Sequence, residues 1–208
     1  MSRAFDVIGA RYSEAFADKP GQVEAGRWLI DRVRGERVVL DVGCGSGLPT
    51  ARQLADAGCD VVAIDTSPVM LELARKNVPS GIFIERDLHD LMGLHPRQGR
   101  FDGAVAFFSL LMLDREGVDK ALDAIRNVLA AEGVFVIGMV EGDSDYLMRE
   151  FLGVRVPLTA YSREELAALL SHHGFTVRDM STELAVLSTS ETPEQTHIYA
   201  RCIATPVM

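Results

Sequence analysis

Val38-Val-Leu-Asp-Val-Gly-Cys-Gly-Ser-Gly47 is the stretch on which the reading turns. Val38 to Val42 is a nearly continuous apolar run, the pattern of a strand buried on both faces. It feeds directly into Gly43-x-Gly45-x-Gly47, after which Pro49 and Thr50 open a helix expected to end near Ala57. Glycines allow a sharp turn and let a ligand approach the backbone without meeting a Cβ atom, so the loop reads as a ligand platform rather than a bare tight turn. The spacing discriminates between ligands. A dinucleotide fingerprint needs a third glycine at position 48, which is Leu48, and a phosphate loop needs Gly-Lys-Ser/Thr, which is absent. Eighteen residues after Gly47, Asp65 ends a second apolar run, Val61-Val-Ala-Ile-Asp65. A carboxylate there can accept both hydroxyls of a ribose, so nucleoside recognition survives where pyrophosphate cradling does not.

Outward from this centre, short runs rich in Val, Ile and Phe alternate with segments of helical period, which argues for a parallel sheet covered by helices. The expected strands are Val38 to Val42, Asp60 to Asp65, Ile82 to Arg86, Asp102 to Phe107 and Val134 to Val140. Phe175 to Leu187 and Thr196 to Ala204 follow with no helix between them, joined as an antiparallel hairpin through Ser188 to Gln195. The fold class is α/β: a doubly wound, seven-stranded sheet, mostly parallel with an antiparallel C-terminal hairpin. Ser67 can cap a helix starting at Pro68 and running to about Asn77, and Ser162 with Glu165 has the spacing of a capping box. Gly58, Gly133 and Gly174 stand where helices should end in a left-handed residue. Phe5 to Val33 reads as helical, interrupted at Lys19, Pro20 and Gly21.

With 208 residues, 48% apolar and 25% charged, the chain fits one domain with a sizeable core. Against 30 Asp+Glu stand 21 Lys+Arg, a formal charge of −9, without the basic cluster that a phosphate backbone requires; no nucleic-acid partner is expected. The longest apolar run, Ala104 to Leu113, is about half of the ~20 residues a spanning helix needs. Met1 to Arg11 lacks the apolar core of a signal peptide. No membrane partner is expected, and the three scattered cysteines, Cys44, Cys59 and Cys202, suit a reducing cytoplasm. No His/Cys/Asp spacing argues for a metal site; His172-His173 reads as a helix end whose charge suits the dipole. The sequence sets no oligomeric state.

Taken together, the chain resembles the class I S-adenosylmethionine-dependent methyltransferases. Asp41-Val-Gly-Cys-Gly-Ser-Gly47 is similar to the family's first motif, and Ile64-Asp65-Thr-Ser-Pro-Val-Met70-Leu-Glu-Leu-Ala74 to the segment after its second strand. Glu85-Arg-Asp87-Leu88 and Phe101-Asp-Gly-Ala-Val-Ala-Phe-Phe-Ser109-Leu follow in the family's order. The resemblance spans roughly residues 36 to 140. It implies a Rossmann-like sheet and S-adenosylmethionine as cofactor, with S-adenosylhomocysteine as product. Residue by residue, it implies that Asp41 holds the methionine amino group, and that the loop at Gly43, Cys44, Gly45 and Gly47 lines the methionine and sugar. Asp65, with Thr66 beside it, would take the ribose. Met70 would pack under the adenine, Asp87 and Leu88 would meet its edge, and Phe107, Phe108 and Ser109 would face the methyl group. The implied layout is one domain: an N-terminal helical cap (1–34), a cofactor-binding core (36–140), a short substrate-side insertion (141–161) and a C-terminal hairpin (175–204). A catalytically silent cofactor-binding module is the alternative on the same fold; a nicotinamide-dependent oxidoreductase is disfavoured by Leu48.

The acceptor leaves a fainter trace. Phe107-Phe-Ser-Leu departs from the Asn/Asp-Pro-Pro-Tyr pattern of relatives that methylate adenine or amides, and Leu111-Met112 stands where many relatives carry a histidine pair. A small-molecule acceptor is the expectation, since the insertion is too short for a separate lid domain. Candidates for a catalytic group are Tyr12, His89 and Glu141. Glu141, Asp143 and Asp145 form an acidic turn that could attract an amine or simply be solvated.

Overall fold

In chain order, the computed structural model contains α1 (Ser2–Ile8), α2 (Pro20–Ile30), β1 (Val38–Val42), α3 (Thr50–Asp56), β2 (Asp60–Asp65), α4 (Pro68–Asn77), β3 (Ile82–Glu85) and β4 (Phe101–Phe107). There follow α5 (Arg115–Val128), β5 (Leu129–Val140), β6 (Ser144–Phe151), β7 (Val154–Ala160), α6 (Arg163–His172), β8 (Phe175–Val186) and β9 (Glu194–Ala204). The structure describes residues 2–9, 11–12, 19–97, 99–186 and 194–206.

The main sheet has seven strands in the order β3-β2-β1-β4-β5-β9-β8. β1 runs parallel to both β2 and β4, while β9 is antiparallel to β5 and β8. The strands read as unbroken apolar runs because both faces are covered. From β1, Val38, Leu40 and Val42 pack with Leu122 and Ile125 of α5 and Leu166 and Leu170 of α6. Val39, pointing the other way, packs with Leu29 of α2, Leu54 of α3 and Leu71 of α4. Strand order reverses at β1 and β4, leaving a crevice beyond their carboxyl ends where ligands of open α/β sheets bind.

Local signals set most element ends. Ser67 Oγ accepts the Met70 N–H at 3.2 Å, and Ser162 with Glu165 forms the full capping box. Gly58 and Gly174 take positive φ, 77° and 76°. Gly133 does not: the left-handed residue is Glu132, φ 60°. The cause is a register shift, since Phe101 pairs with Leu129 but Gly103 pairs with Val134, so β5 starts at Leu129, not Val134, and loops out the residues between. Smaller differences are that α3 ends at Asp56, β3 at Glu85, and β4 begins at Phe101. Pro20 and Gly21 lie inside α2 rather than in a break. Lys19 is the residue before the helix, and proline at the first position has no N–H to leave unsatisfied. At the C-terminus β9 opens at Glu194, so Gln195 belongs to the strand; Leu187 and the connection at 188–193 lie outside the described residues.

The segment after β5, expected as a plain short insertion, is a hairpin of its own, β6 against β7 in a separate two-stranded sheet. Thr159 Oγ1 donates to the Leu113 carbonyl at 2.5 Å, fixing β7 to the turn after β4. A small cluster of Ile8, Met70 and Leu152, flanked by Phe5, Tyr12 and Phe151, ties the hairpin's tip to α1 and α4. Among the described residues no helix is long and apolar enough to cross a membrane.

Candidate functional site

The crevice beyond β1, β2 and β4 is a cavity of about 450 Å³, roofed by the β6–β7 hairpin and walled on one side by β8 and β9. Its floor is the loop after β1. Gly43 has φ 76°, and a Cβ there would stand 2.3 Å from the Cβ of Ser109, so glycine is required twice over. Ser109 Oγ donates to the Val42 carbonyl at 2.6 Å, locking the turn after β4 against this loop. Gly45, φ 53°, has open space within 4 Å of where its Cβ would be. Gly47 faces the other way, packed on Ala74 of α4, and is not on the cavity wall.

Carboxylates cluster along one end. Asp65 Oδ2 accepts the Gly45 N–H and Oδ1 the Ser67 N–H, each at 2.9 Å, and the Thr66 N–H adds a third backbone donor to the carboxylate. Burial raises its pKa, opposed by these backbone bonds. Asp41 is 3% exposed, and its Oδ2 is buried without a hydrogen-bond partner. Burial first, then the charge of Asp65, pushes its pKa up to about 7. Thr66, Met70, Leu88 and Asp87 continue the wall. Burial works against ionised Asp87, but the backbone N–H and ring of His89 on its Oδ1, at 2.9 and 2.7 Å, hold its carboxyl below the usual range. The other end is apolar and aromatic: Phe107, Phe108, Leu111 and Met112, with Phe151 and Pro157 from the roof. Cys44 also lines the cavity, its thiol pushed well up by burial, then by Asp41 and Asp65.

Two of the three expected catalytic candidates lie elsewhere. His89 is off the wall, its Nε2 3.1 Å from the Gly117 carbonyl, so the ring is a strut between the β3 turn and α5. Glu141 accepts from Arg163 at 2.8 Å and is also off the wall. Asp143 and Asp145 are taken by Arg115, through its side chain at 3.0 Å and its N–H at 2.9 Å, so the acidic turn binds its own arginines. Tyr12 is on the wall, its phenol pKa raised by burial and then by Asp65. His173 is more than a helix-end charge: its ring meets Asp123 at 2.7 Å and Asp119 at 2.8 Å.

Sequence reasoning missed Lys19, Glu183, His197 and Tyr199, all on the wall. Tyr199 O–H donates to Glu183 Oε2 at 3.1 Å, and that oxygen also takes the Gly21 N–H at 3.2 Å, pinning the start of α2 to β8 and β9. One signal was available: in the otherwise apolar Ile198-Tyr-Ala-Arg-Cys-Ile203 run, His197 and Tyr199 stand two apart and so share a face.

A family model described as a methyltransferase domain matches residues 39–133. An O-methyltransferase of Penicillium expansum is 30% identical over 197 residues, covering 85% of this chain and 69% of that protein. The chain belongs to the class I S-adenosylmethionine-dependent methyltransferases. A magnesium-protoporphyrin O-methyltransferase of Rhodobacter capsulatus is 33% identical over 109 residues, 52% of this chain, and the chain spans about half of that relative, 48%. In fold, the chain is similar to a 1,6-didemethyltoxoflavin N1-methyltransferase of Burkholderia thailandensis solved with its acceptor and S-adenosylhomocysteine, with a TM-score of 0.74 at 22% identity over 99% of this chain and 87% of that one. The cavity fits the family's cofactor by its own chemistry. Asp41 Oδ2 is an orphaned acceptor suited to an ammonium group, Gly45 leaves room where a side chain would intrude, and the Asp65 carboxylate, fixed by the loop backbone, lines the same cavity.

Proposed function

We propose that the chain binds S-adenosylmethionine along the acidic end of its cavity and transfers the methyl group to a small molecule held at the apolar end. The observation that carries the reading is the buried, unpartnered Oδ2 of Asp41 beside a glycine loop with open space above it, a pairing that is costly unless a cationic ligand completes it. Asp41 would bind the amino group, Asp65 and Thr66 the ribose, Met70 the adenine face, Asp87 and Leu88 its edge. The loop at Gly43, Cys44 and Gly45 would lie against the methionine, and Gly47 would act indirectly by seating the loop on α4.

When bound, the cofactor supplies a methyl group on a positively charged sulfur, an electrophile that needs little further activation. The residues of the chain therefore act chiefly by position. Phe107, Phe108 and Ser109 shape the space next to the methyl group, and the β6–β7 roof excludes water, so that a nucleophile held at about 3 Å gains several kcal/mol from proximity. A cavity of 450 Å³ shared with the cofactor leaves space for a small acceptor. The relatives that act on a porphyrin and on a toxoflavin precursor support that class. The test is Asp65→Ala: losing a charged acceptor should weaken S-adenosylhomocysteine binding by at least about 1.5 kcal/mol, roughly tenfold, in calorimetry. Unchanged affinity would remove Asp65 from the site.

A further inference from the structure

The aromatic end of the cavity also carries an imidazole. His197 is 9% exposed and lines the cavity, and its ring has no hydrogen-bond partner among the described residues. Phe108 lies against it, ring centres 4.5 Å apart, and Tyr199 stands edge-on at 6.5 Å. Phe108 is held there by its backbone. Its φ of 57° is a left-handed conformation that costs a bulky residue on the order of 1–3 kcal/mol, and Gly138 opposite supplies the room, since a Cβ there would stand 2.9 Å from Phe107 and 3.4 Å from Phe108. Such strain persists where the surroundings enforce it, and here it sets the Phe108 ring against the imidazole.

We propose that this end accepts a planar molecule bearing an acidic hydroxyl, a phenol or an enol, and that His197 receives its proton. The proposal rests on the methyltransferase reading above and names its acceptor class. Phe108, Phe151 and Pro157 offer a ring apolar surface in the cavity, and the imidazole offers its hydroxyl an acceptor. Charge selects against amines. The Lys19 ammonium stands 4.5 Å above the Tyr12 ring at the same end. Burial and then Lys19 lower the His197 pKa to about 4, so the ring is a neutral acceptor at physiological pH. So weak a base takes a proton readily only from an acidic donor. An alkylamine arrives as a cation, which Lys19 opposes. Glu183, a carboxylate of the wall, accepts from Gly21 and Tyr199, and the roof adds one charge of each sign, Arg149 and Glu150.

The step balances without a further reactant. The hydroxyl proton passes to a ring nitrogen of His197, and the oxygen lone pair forms the bond to the methyl carbon. The carbon–sulfur bond breaks, with its electron pair staying on sulfur. One positive charge is thereby moved from sulfur to imidazolium. Buried near Lys19, the imidazolium then loses its proton to water as the product leaves.

The test uses the full chain saturated with S-adenosylhomocysteine and two probes on one ring system, 7-hydroxycoumarin and 7-(aminomethyl)coumarin, the second a cationic alkylamine at neutral pH, titrated by fluorescence. The hydroxyl probe should bind about tenfold or more tightly than the amine. His197→Phe, which keeps the ring but removes both nitrogens, should cut that preference to under about threefold while S-adenosylhomocysteine affinity stays within about twofold. Equal or tighter binding of the amine, no binding of either probe, or a preference that survives His197→Phe would each overturn the proposal. The wild-type comparison stands alone if the variant does not fold. Failure of S-adenosylhomocysteine itself to bind would instead overturn the methyltransferase reading.

Discussion

Asp41 is placed where ionisation is costly unless a cation arrives. Its pKa is raised from 3.8 to about 7, so the stability present below pH 3.8 falls as the pH rises through 7 and the carboxylate ionises in a buried site. Asp41→Asn should therefore raise the melting temperature at pH 8, by about 2–4 °C, and at the same time weaken S-adenosylhomocysteine by about tenfold or more, the trade expected of a residue kept for binding. In the wild type, binding should tighten between pH 6 and 8 with release of a proton, read from calorimetry in buffers of different ionisation enthalpy. The two loop glycines should separate in the same way. Gly43→Ala meets Ser109 and should unseat the loop, lowering the melting temperature steeply. Gly45→Ala meets nothing within 4 Å and costs only its left-handed φ, about 1–2 kcal/mol, so it should fold but bind the cofactor poorly. At this scale the carboxylate-lined end of the cavity was legible in the sequence because its groups sit next to strand ends that the sequence marks locally: Asp41, Gly43, Gly45 and Asp65. His197, Tyr199, Glu183 and Lys19 were not, because β9 inserts between β5 and β8, and that pairing brings residues more than 150 positions apart together, as Gly21 meets Glu183. His89 and Glu141 misled because a polar residue near a strand end looks the same whether it faces the cavity or a neighbouring helix.

The elements differ in how plainly they are written. Central strands are apolar on both faces and capped helices carry Ser67 or Ser162, so both could be read directly. The β6 strand could not: Asp145 to Glu150 are all exposed, so no buried face imposes an alternating pattern on it, whereas its partner β7 buries Val156, Thr159 and Ala160. The early start of β5 was hidden by the bulge around Glu132, since a register shift leaves no periodic signal. His173 makes a testable joint between elements, linking the end of α6 to Asp119 and Asp123 of α5. Burial lowers its pKa, but the two carboxylates outweigh that and raise it. A raised histidine pKa gives stability that is fully present below about 6.5 and lost as the pH rises through the folded value. His173→Gln should then cost on the order of 1 kcal/mol at pH 6, because both aspartates are partly exposed and screened, with the difference narrowing by pH 9. A penalty that grows with pH would show that the ring is held neutral.

For the whole molecule, the reversal of strand order between β1 and β4 opens the crevice, and two hairpins close it, β6–β7 above and β8–β9 at the side. The carboxylates Asp41 and Asp65 reach the cavity from the parallel half of the sheet, whereas Phe151, Pro157, His197 and Tyr199 reach it from the hairpins. The division predicts that changes in the roof alter acceptor handling more than cofactor affinity. Phe151→Ala, remote from Asp41 and Asp65 in the chain but on the cavity wall, should leave S-adenosylhomocysteine affinity within about threefold and slow turnover more than that, measured as S-adenosylhomocysteine release. The central claim, that the carboxylate-lined end of the cavity is a nucleoside-sulfonium site, meets its most direct test in one titration. Calorimetry of the folded wild-type chain with S-adenosylhomocysteine at pH 8 should give one site per chain, with affinity lost on Asp65→Ala. A folded chain that takes up no S-adenosylhomocysteine, or binds it equally well without Asp65, would contradict the account.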